Sequence, residues 1–200
     1  MADRQAAGRA PRRAEEASLS PLLGGATFPL RHRLFRLAWQ VCWRALGAWT
    51  PPPLQAWRRF LVRLFGGRIA STARIYGGVR IWYPPNLTMG EHACLGEGVD
   101  CYCMDRIELG PHALVSQRAV LCGGGHDVDD PAFPLVTGPI VIGRDAWIAA
   151  EAFVGPGVTV GEGAVLGARA CAVRDLEPWS VYVGNPARLA RKRRVPCGAK

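Results

Sequence analysis

The stretch of this chain best suited to chemistry is a histidine that ends a glycine run and precedes three carboxylates. It lies in CGGGHDVDDPAFPLVTGP, residues 122–139, where Gly123 to Gly125 lead into His126 and Asp127, Asp129 and Asp130 follow. An imidazole, with an ordinary pKa of about 6.5, takes the proton of an attacking hydroxyl near neutral pH, which is the work of a general base. The glycines let the backbone turn tightly and bring the ring close to a reactant. Asp127 is placed to set the imidazole tautomer, to bind substrate hydroxyls, or to hold the loop. His32, His92 and His112 lack such a setting and are expected to be solvated. The seven cysteines include no C-x-x-C pair, so they read as small buried side chains in a reducing compartment, with no metal site.

The element that positions this loop is written in the spacing around it. Ile142, Ile148, Val154, Val160, Leu166 and Ala172 recur every sixth residue, and Ala146, Ala152, Val158, Ala164 and Ala170 form a second register of small or β-branched residues. A helix repeats near 3.6 residues and a strand near 2, so neither alone explains a period of six. Met89, Leu95 and Cys101 carry the same phase, which resumes after two extra residues at Leu109, Val115 and Leu121. Short strands joined by tight corners, with three hexads to a turn, predict a triangular parallel β-helix whose coils share one apolar column. Glycines directly after the apolar positions mark corners that need unusual backbone geometry or close approach. The histidine loop leaves this scaffold after Leu121, and loops on rigid scaffolds are where sites are usually built.

The flanks differ in composition. Residues 1–30 read as a flexible basic tail, residues 31–68 as an amphipathic helical segment, residues 69–184 as the β-helix domain with its loop at 122–139, and residues 185–200 as a basic C-terminal segment. The helical segment mixes Trp39, Trp43, Trp49 and Trp57 with Arg58, Arg59 and Arg63. That composition suits an amphipathic helix lying on anionic lipid, or a cap over the first coil. The formal charge of +9 is uneven: residues 75–187 hold 6 basic against 13 acidic residues, a net −7, while both ends are basic. A nucleic-acid surface would put positive charge on the scaffold, so nucleic-acid binding is not expected. The N-terminus carries no apolar run after its charges, and no stretch reaches the length of a membrane span. A cytoplasmic protein is expected, peripheral at the inner face of the membrane if the helices bind lipid.

These residues resemble the hexapeptide-repeat acyltransferases, in particular their colanic acid or exopolysaccharide O-acetyltransferase branch. The resemblance runs from YGGVRIWYPPNLTMG through GGGHDVDDPAFPLVTGPIVIGRDAWIA to VYVGNPARLARKR. It implies an all-β, left-handed parallel β-helix with an N-terminal helical segment, a protruding catalytic loop and a short C-terminal helix. The handedness comes from the resemblance alone, since the general rule for parallel crossovers favours the right-handed form. The resemblance further implies a homotrimer with sites between subunits and acetyl-CoA as cosubstrate.

Carried over residue by residue, the resemblance makes His126 the general base with Asp127 beside it. Trp147, Ala149 and Ala150 match the stretch that lines the cofactor groove, and Gly167 and Ala168 lie one coil above it. Arg188 and Arg191 suit the 3′-phosphate of CoA, aimed by a turn at Asn185 and Pro186. Tyr102, Cys103 and Asp105 fall where the acceptor is held, although relatives often show Cys-Tyr-Asn where this chain has Cys101-Tyr102-Cys103. A thiol is a poor hydrogen-bond partner, so that departure touches the acceptor side.

No G-x-S-x-G motif occurs, which favours direct transfer without an acyl-enzyme. The expected function is transfer of acetyl from acetyl-CoA to a sugar hydroxyl of an exopolysaccharide precursor or related glycan, including a lipid-linked sugar. The alternatives are a different small acceptor, such as serine, an amino sugar or an antibiotic, or an inactive scaffold.

Overall fold

The computed structural model describes residues 27–194 together with the strand Arg12–Arg13. The expected flexible tail falls mostly outside the described residues. Within it, the backbone at Arg12 and Arg13 pairs antiparallel with Thr137 and Val136, so these two residues form a strand at the edge of the histidine loop.

The sixfold order builds a parallel β-solenoid with three faces. The first stacks Arg68–Ile69, Leu87–Met89, Ile107–Leu109, Ile140–Ile142 and Thr159–Val160. The second runs from Arg74–Ile75 through Cys94–Leu95, Leu114–Val115, Trp147–Ile148 and Val165–Leu166 to Ser180–Val183. The third stacks Arg80–Ile81, Asp100–Tyr102, Val120–Cys122, Phe153–Val154 and Cys171–Ala172. Trp147 lies beside Val165, so eighteen residues complete a turn. The every-sixth positions and the second, small register are all buried, because each short strand turns its apolar side chains into the narrow column and each corner must fit beside them. Each fully buried aliphatic side chain is worth about 1.5–3 kcal/mol, and stacking makes the column continuous.

The corner glycines serve close approach. A Cβ on Gly110 would come within 2.7 Å of the Arg144 nitrogen in the next coil. The left-handed backbone falls two residues later, on His112 at φ 61°. The two-residue insertion before Ile107–Leu109 lies on the edge between the third and first faces, as do the histidine loop and a further short insertion at Pro84–Asn86.

Two helices, α1 (Leu30–Cys42) and α2 (Gln55–Leu64), cover the open end of the first coil. Successive strand residues bond to alternate neighbours, so half of the backbone groups on an end coil face no strand. The cap supplies donors to those carbonyls. Trp39 Nε1 donates to Ile81 at 2.7 Å and Trp43 Nε1 to Val79 at 2.9 Å. Arg58, only 1% exposed, donates to the Ile75 carbonyl at 3.0 Å and also holds the connection between the helices, through the carbonyls of Pro51 at 2.7 Å and Thr50. Arg59 reaches Ala73 at 3.0 Å and Arg63 reaches Ile69 at 2.8 Å. Arginine and tryptophan side chains donate and do not accept, which suits a row of carbonyls. His32, expected in solvent, packs instead against Phe28 at 4.8 Å and Tyr83 at 4.6 Å, because the N-terminal turn of α1 folds onto the aromatic edge of the first coil.

The C-terminal segment corrects another expectation. Residues 188–192 form a strand, paired antiparallel with Ser180–Val183, where a short helix was expected. Gly184, at φ 91°, turns the chain back, and the open edge of Ser180–Val183 offers backbone partners that a helix could not use.

Candidate active site

The histidine loop is a hairpin. Gly124–His126 pairs antiparallel with Leu135–Thr137, and Gly123 donates to the Tyr102 carbonyl at 2.9 Å, anchoring the loop to the coil below. A Cβ on Gly124 would come within 2.5 Å of Met104 Sδ, so a larger residue there would have to displace that side chain. A Cβ on Gly125 would meet nothing within 4 Å.

The His126 ring is exposed and stacks on Phe133 at 4.5 Å with the planes 6° apart. Its Nδ1 lies 3.0 Å from the Phe133 carbonyl. A carbonyl can only accept, so Nδ1 carries the hydrogen and Nε2 is left as the basic nitrogen. Asp127 is used differently: its Oδ1 accepts from the Asp129 nitrogen at 3.1 Å, inside its own loop. Asp130 likewise accepts from Ala132 at 2.9 Å. The orienting group is thus a backbone carbonyl, which no side-chain pattern in the sequence could mark.

Of the residues expected on the acceptor side, Tyr102 and Asp105 lie at the foot of this loop. Asp105 Oδ2 accepts from Thr137 Oγ1 at 3.2 Å, tying coil to hairpin. Tyr102 meets Trp82 edge to face at 5.6 Å, and burial pushes its phenol up, so it stays a neutral hydroxyl. Both aromatics line a hollow of about 240 Å³ with Arg80, Asp100, Gln40 and Arg44. Arg80 pairs with Asp100 at 2.5 Å. Cys103 is not on that surface, contrary to its expected place. It is fully buried, with its Sγ 3.2 Å from the Tyr83 carbonyl and 3.3 Å from the Tyr83 nitrogen, because its side chain turns into the edge of the coil. Its neighbour Cys101 has a thiol held well above its ordinary pKa by the hydrogen bond to Cys103 and by burial, which keeps the Cys101 thiol protonated.

A second concavity, about 530 Å³, runs along the edge between the second and third faces. Trp147, Ala149, Ala150, Gly167, Ala168 and Arg191 all line it, so the coil stacking unites residues far apart in sequence. Arg188 does not line it; its exposed side chain donates to the carbonyl of its neighbour Ala187 at 3.4 Å, because the strand turns it away. Ser116, Gln117 and Arg193 line it as well and were not foreseen. Ser116 Oγ accepts from Trp147 Nε1 at 2.8 Å, one coil below; the long loop breaks the eighteen-residue offset that would have linked them. Arg193 is held by the carbonyls of Gly163 at 2.8 Å and Asp145 at 3.1 Å, while Arg191 donates to the Lys192 carbonyl at 3.1 Å.

Small side chains on the floor and arginines above suit an extended amide-bearing arm that ends in phosphates. The groove and the His126 loop rise from different edges of the prism. Among the described residues there is no cluster of three or more metal-ligating side chains; His92 and His112 meet edge to face at 5.1 Å on the remaining edge.

Residues 139–171 match the sequence family described as bacterial transferase hexapeptide, six repeats. A protein of Escherichia coli strain K12 named as a colanic acid biosynthesis acetyltransferase, WcaF, is 41% identical over 155 residues, 78% of this chain and 85% of that one. Among solved structures, a maltose O-acetyltransferase from Clostridium difficile 630 superposes with a TM-score of 0.74 at 21% identity, covering 90% of this chain and all of that one (100%). A hexapeptide-repeat acetyltransferase of Vibrio cholerae O1 biovar eltor, complexed with acetyl coenzyme A, superposes at 0.71 with 22% identity, covering 86% of this chain and 96% of that one. The repeats, the architecture and the identity shared along most of two chains agree, and this chain belongs to the hexapeptide-repeat acyltransferase family.

Proposed function

We propose that the protein transfers the acetyl group of acetyl-CoA to a sugar hydroxyl of an exopolysaccharide precursor. The observation that carries this reading is the His126 ring, whose Nδ1 hydrogen is committed to the Phe133 carbonyl. His126 Nε2 takes the acceptor's proton as the hydroxyl oxygen bonds to the thioester carbon. The carbon–sulfur bond then breaks, and the imidazolium returns that proton to the departing thiolate. His126 and Phe133 do this without a covalent acyl-enzyme.

Trp147, Ala149, Ala150, Gly167 and Ala168 form the bed for the pantetheine arm, and Arg191 with Arg193 faces its phosphates. The hollow beside Tyr102 and Trp82 takes the acceptor: aromatic faces stack on sugar rings, and the Arg80–Asp100 pair meets hydroxyls. Because loop and groove occupy different edges, a second copy is needed to bring His126 to the cosubstrate, which supports a homotrimer with sites between subunits. The resemblance to a relative named for colanic acid biosynthesis supports the glycan acceptor. The six described cysteines are all free, which supports a cytoplasmic setting.

The test is thiol release from acetyl-CoA with a panel of hydroxy sugars and amino sugars, using wild type beside His126→Ala. Release that depends on a hydroxy sugar and disappears in the variant supports the proposal. Release with amines alone, or release unchanged in the variant, overturns it.

A further inference from the structure

The helical cap has a second face that capping does not use. On α1, Trp39 points at the coil and is buried, while Leu30, Leu34, Leu37 and Val41 are each more than half exposed. Their spacing of four, three and four residues puts them in one stripe, opposite Trp39. On α2, Trp57 stacks on Phe60 at 5.5 Å, and Phe60 and Leu64 are 51% and 64% exposed. Trp49, between the helices, is 72% exposed, the largest value among the exposed apolar side chains of the cap. Soluble proteins rarely leave so continuous an apolar surface open.

Two further observations say what covers it. Residues 27–67 contain seven arginines and no aspartate or glutamate. Arg59 and Arg63 spend their hydrogen bonds on backbone carbonyls, which leave their charge uncompensated. Arg33 and Arg44 are exposed at the margin of the stripe, three residues after Leu30 and Val41 respectively. The indoles are the second observation. Trp49 Nε1 donates to the Ala45 carbonyl at 2.6 Å and Trp57 Nε1 to Leu46 at 2.8 Å, so both polar tips are satisfied within the cap and their rings remain. An apolar stripe with a purely cationic margin fits a surface that is apolar beneath and anionic at its rim.

We propose that the outer face of the helical cap docks on an anionic lipid bilayer, with Leu34, Leu37, Val41, Trp49, Trp57 and Phe60 in the interface. Among the described residues no helix is long and apolar enough to cross a membrane, so this contact lies in the interfacial plane. Gln40 of α1 and Arg44, in the helical turn that follows it, also line the hollow beside Tyr102, so docking brings that hollow to the lipid surface. The inference stands on the cap alone and goes beyond the assignment of the reaction.

The test is flotation of the full chain with phosphatidylcholine vesicles, with and without phosphatidylglycerol, for wild type and for Leu37→Glu/Phe60→Glu. Both positions are exposed and outside the capping contacts, and circular dichroism checks the fold. Wild type should float only with phosphatidylglycerol, less so at high salt, and the variant should lose about tenfold or more in partitioning. Failure of wild type to float, or equal flotation of the variant, overturns the proposal. A fall in oligomer mass in the variant by light scattering overturns it too, assigning the face to a second copy. Flotation needs no acceptor, and turnover of a soluble sugar should be equal in both proteins, so the outcome is separate from that of the proposed reaction.

Discussion

The Phe133 residue holds His126 twice, through its carbonyl 3.0 Å from Nδ1 and through its ring, stacked at 4.5 Å. One residue thereby sets both the tautomer and the plane of the imidazole. Phe133 itself sits at φ 48°, a left-handed conformation that costs a non-glycine residue about 1–2 kcal/mol and is held by the hairpin.

Phe133→Ala keeps the carbonyl and removes the stack. It should lower kcat by roughly tenfold to a hundredfold, with the KM for acetyl-CoA little changed. Steady-state kinetics decide this. A change confined to KM would mean that the ring serves binding rather than orientation.

His126→Ala should lower turnover by about a hundredfold or more, leaving melting temperature and oligomer mass unchanged. Asp127→Asn should cost far less, because its carboxylate caps the Asp129 nitrogen and does not touch the ring. Comparing the two rates checks whether Phe133 has taken the orienting role.

Arg191→Ala should raise the KM for acetyl-CoA while changing that for its 3′-dephospho analogue much less. Arg188→Ala should alter neither, since that residue lies outside the groove. A double comparison of the two cosubstrates reads the phosphate contact directly.

Trp39→Phe leaves the Ile81 carbonyl without its donor in a buried place and should cost about 1–3 kcal/mol. Arg58→Met abandons the Ile75 carbonyl together with those of Thr50 and Pro51 in the helix connection and should cost about 3 kcal/mol or more. Urea unfolding measures both.

Glu151 bridges Arg169 at 2.6 Å and Arg118 at 2.5 Å across three coils. Hydrogen bonds from Arg169 and then Arg118 hold its carboxyl below the usual carboxylate range. Its contribution is therefore present above the unfolded carboxylate pKa and is lost as pH falls through the folded value. Glu151→Gln should melt slightly lower than wild type at neutral pH, and the gap should close in acid. Thermal melts across that range check the sign.

The sixfold spacing was legible without any structure, because every coil repeats the same burial problem and the sequence must answer it each time. The loop was legible too, as an interruption of that rhythm carrying a histidine between glycines and carboxylates. The groove residues Trp147, Ala149, Ala150, Gly167 and Ala168 were reached through the resemblance, and coil stacking placed them together. Ser116 and Gln117 were lost because the loop shifts the offset between coils.

What the sequence by itself determined is the repeat, the place where it opens, and the donor-rich composition of its first cover. It did not determine which way each side chain turns. Trp39 and Arg58 go inward because the first coil has carbonyls with no neighbouring strand, whereas Leu37 and Phe60 at similar spacing stay outside. Arg188–Lys192 becomes a strand because an open sheet edge lies beside it, and Cys103 is buried by the turn of its corner. The tautomer of His126 depends on a backbone carbonyl seven residues away, brought near by a hairpin. Such outcomes depend on which unpaired groups the fold leaves nearby, and only the tertiary structure decides that.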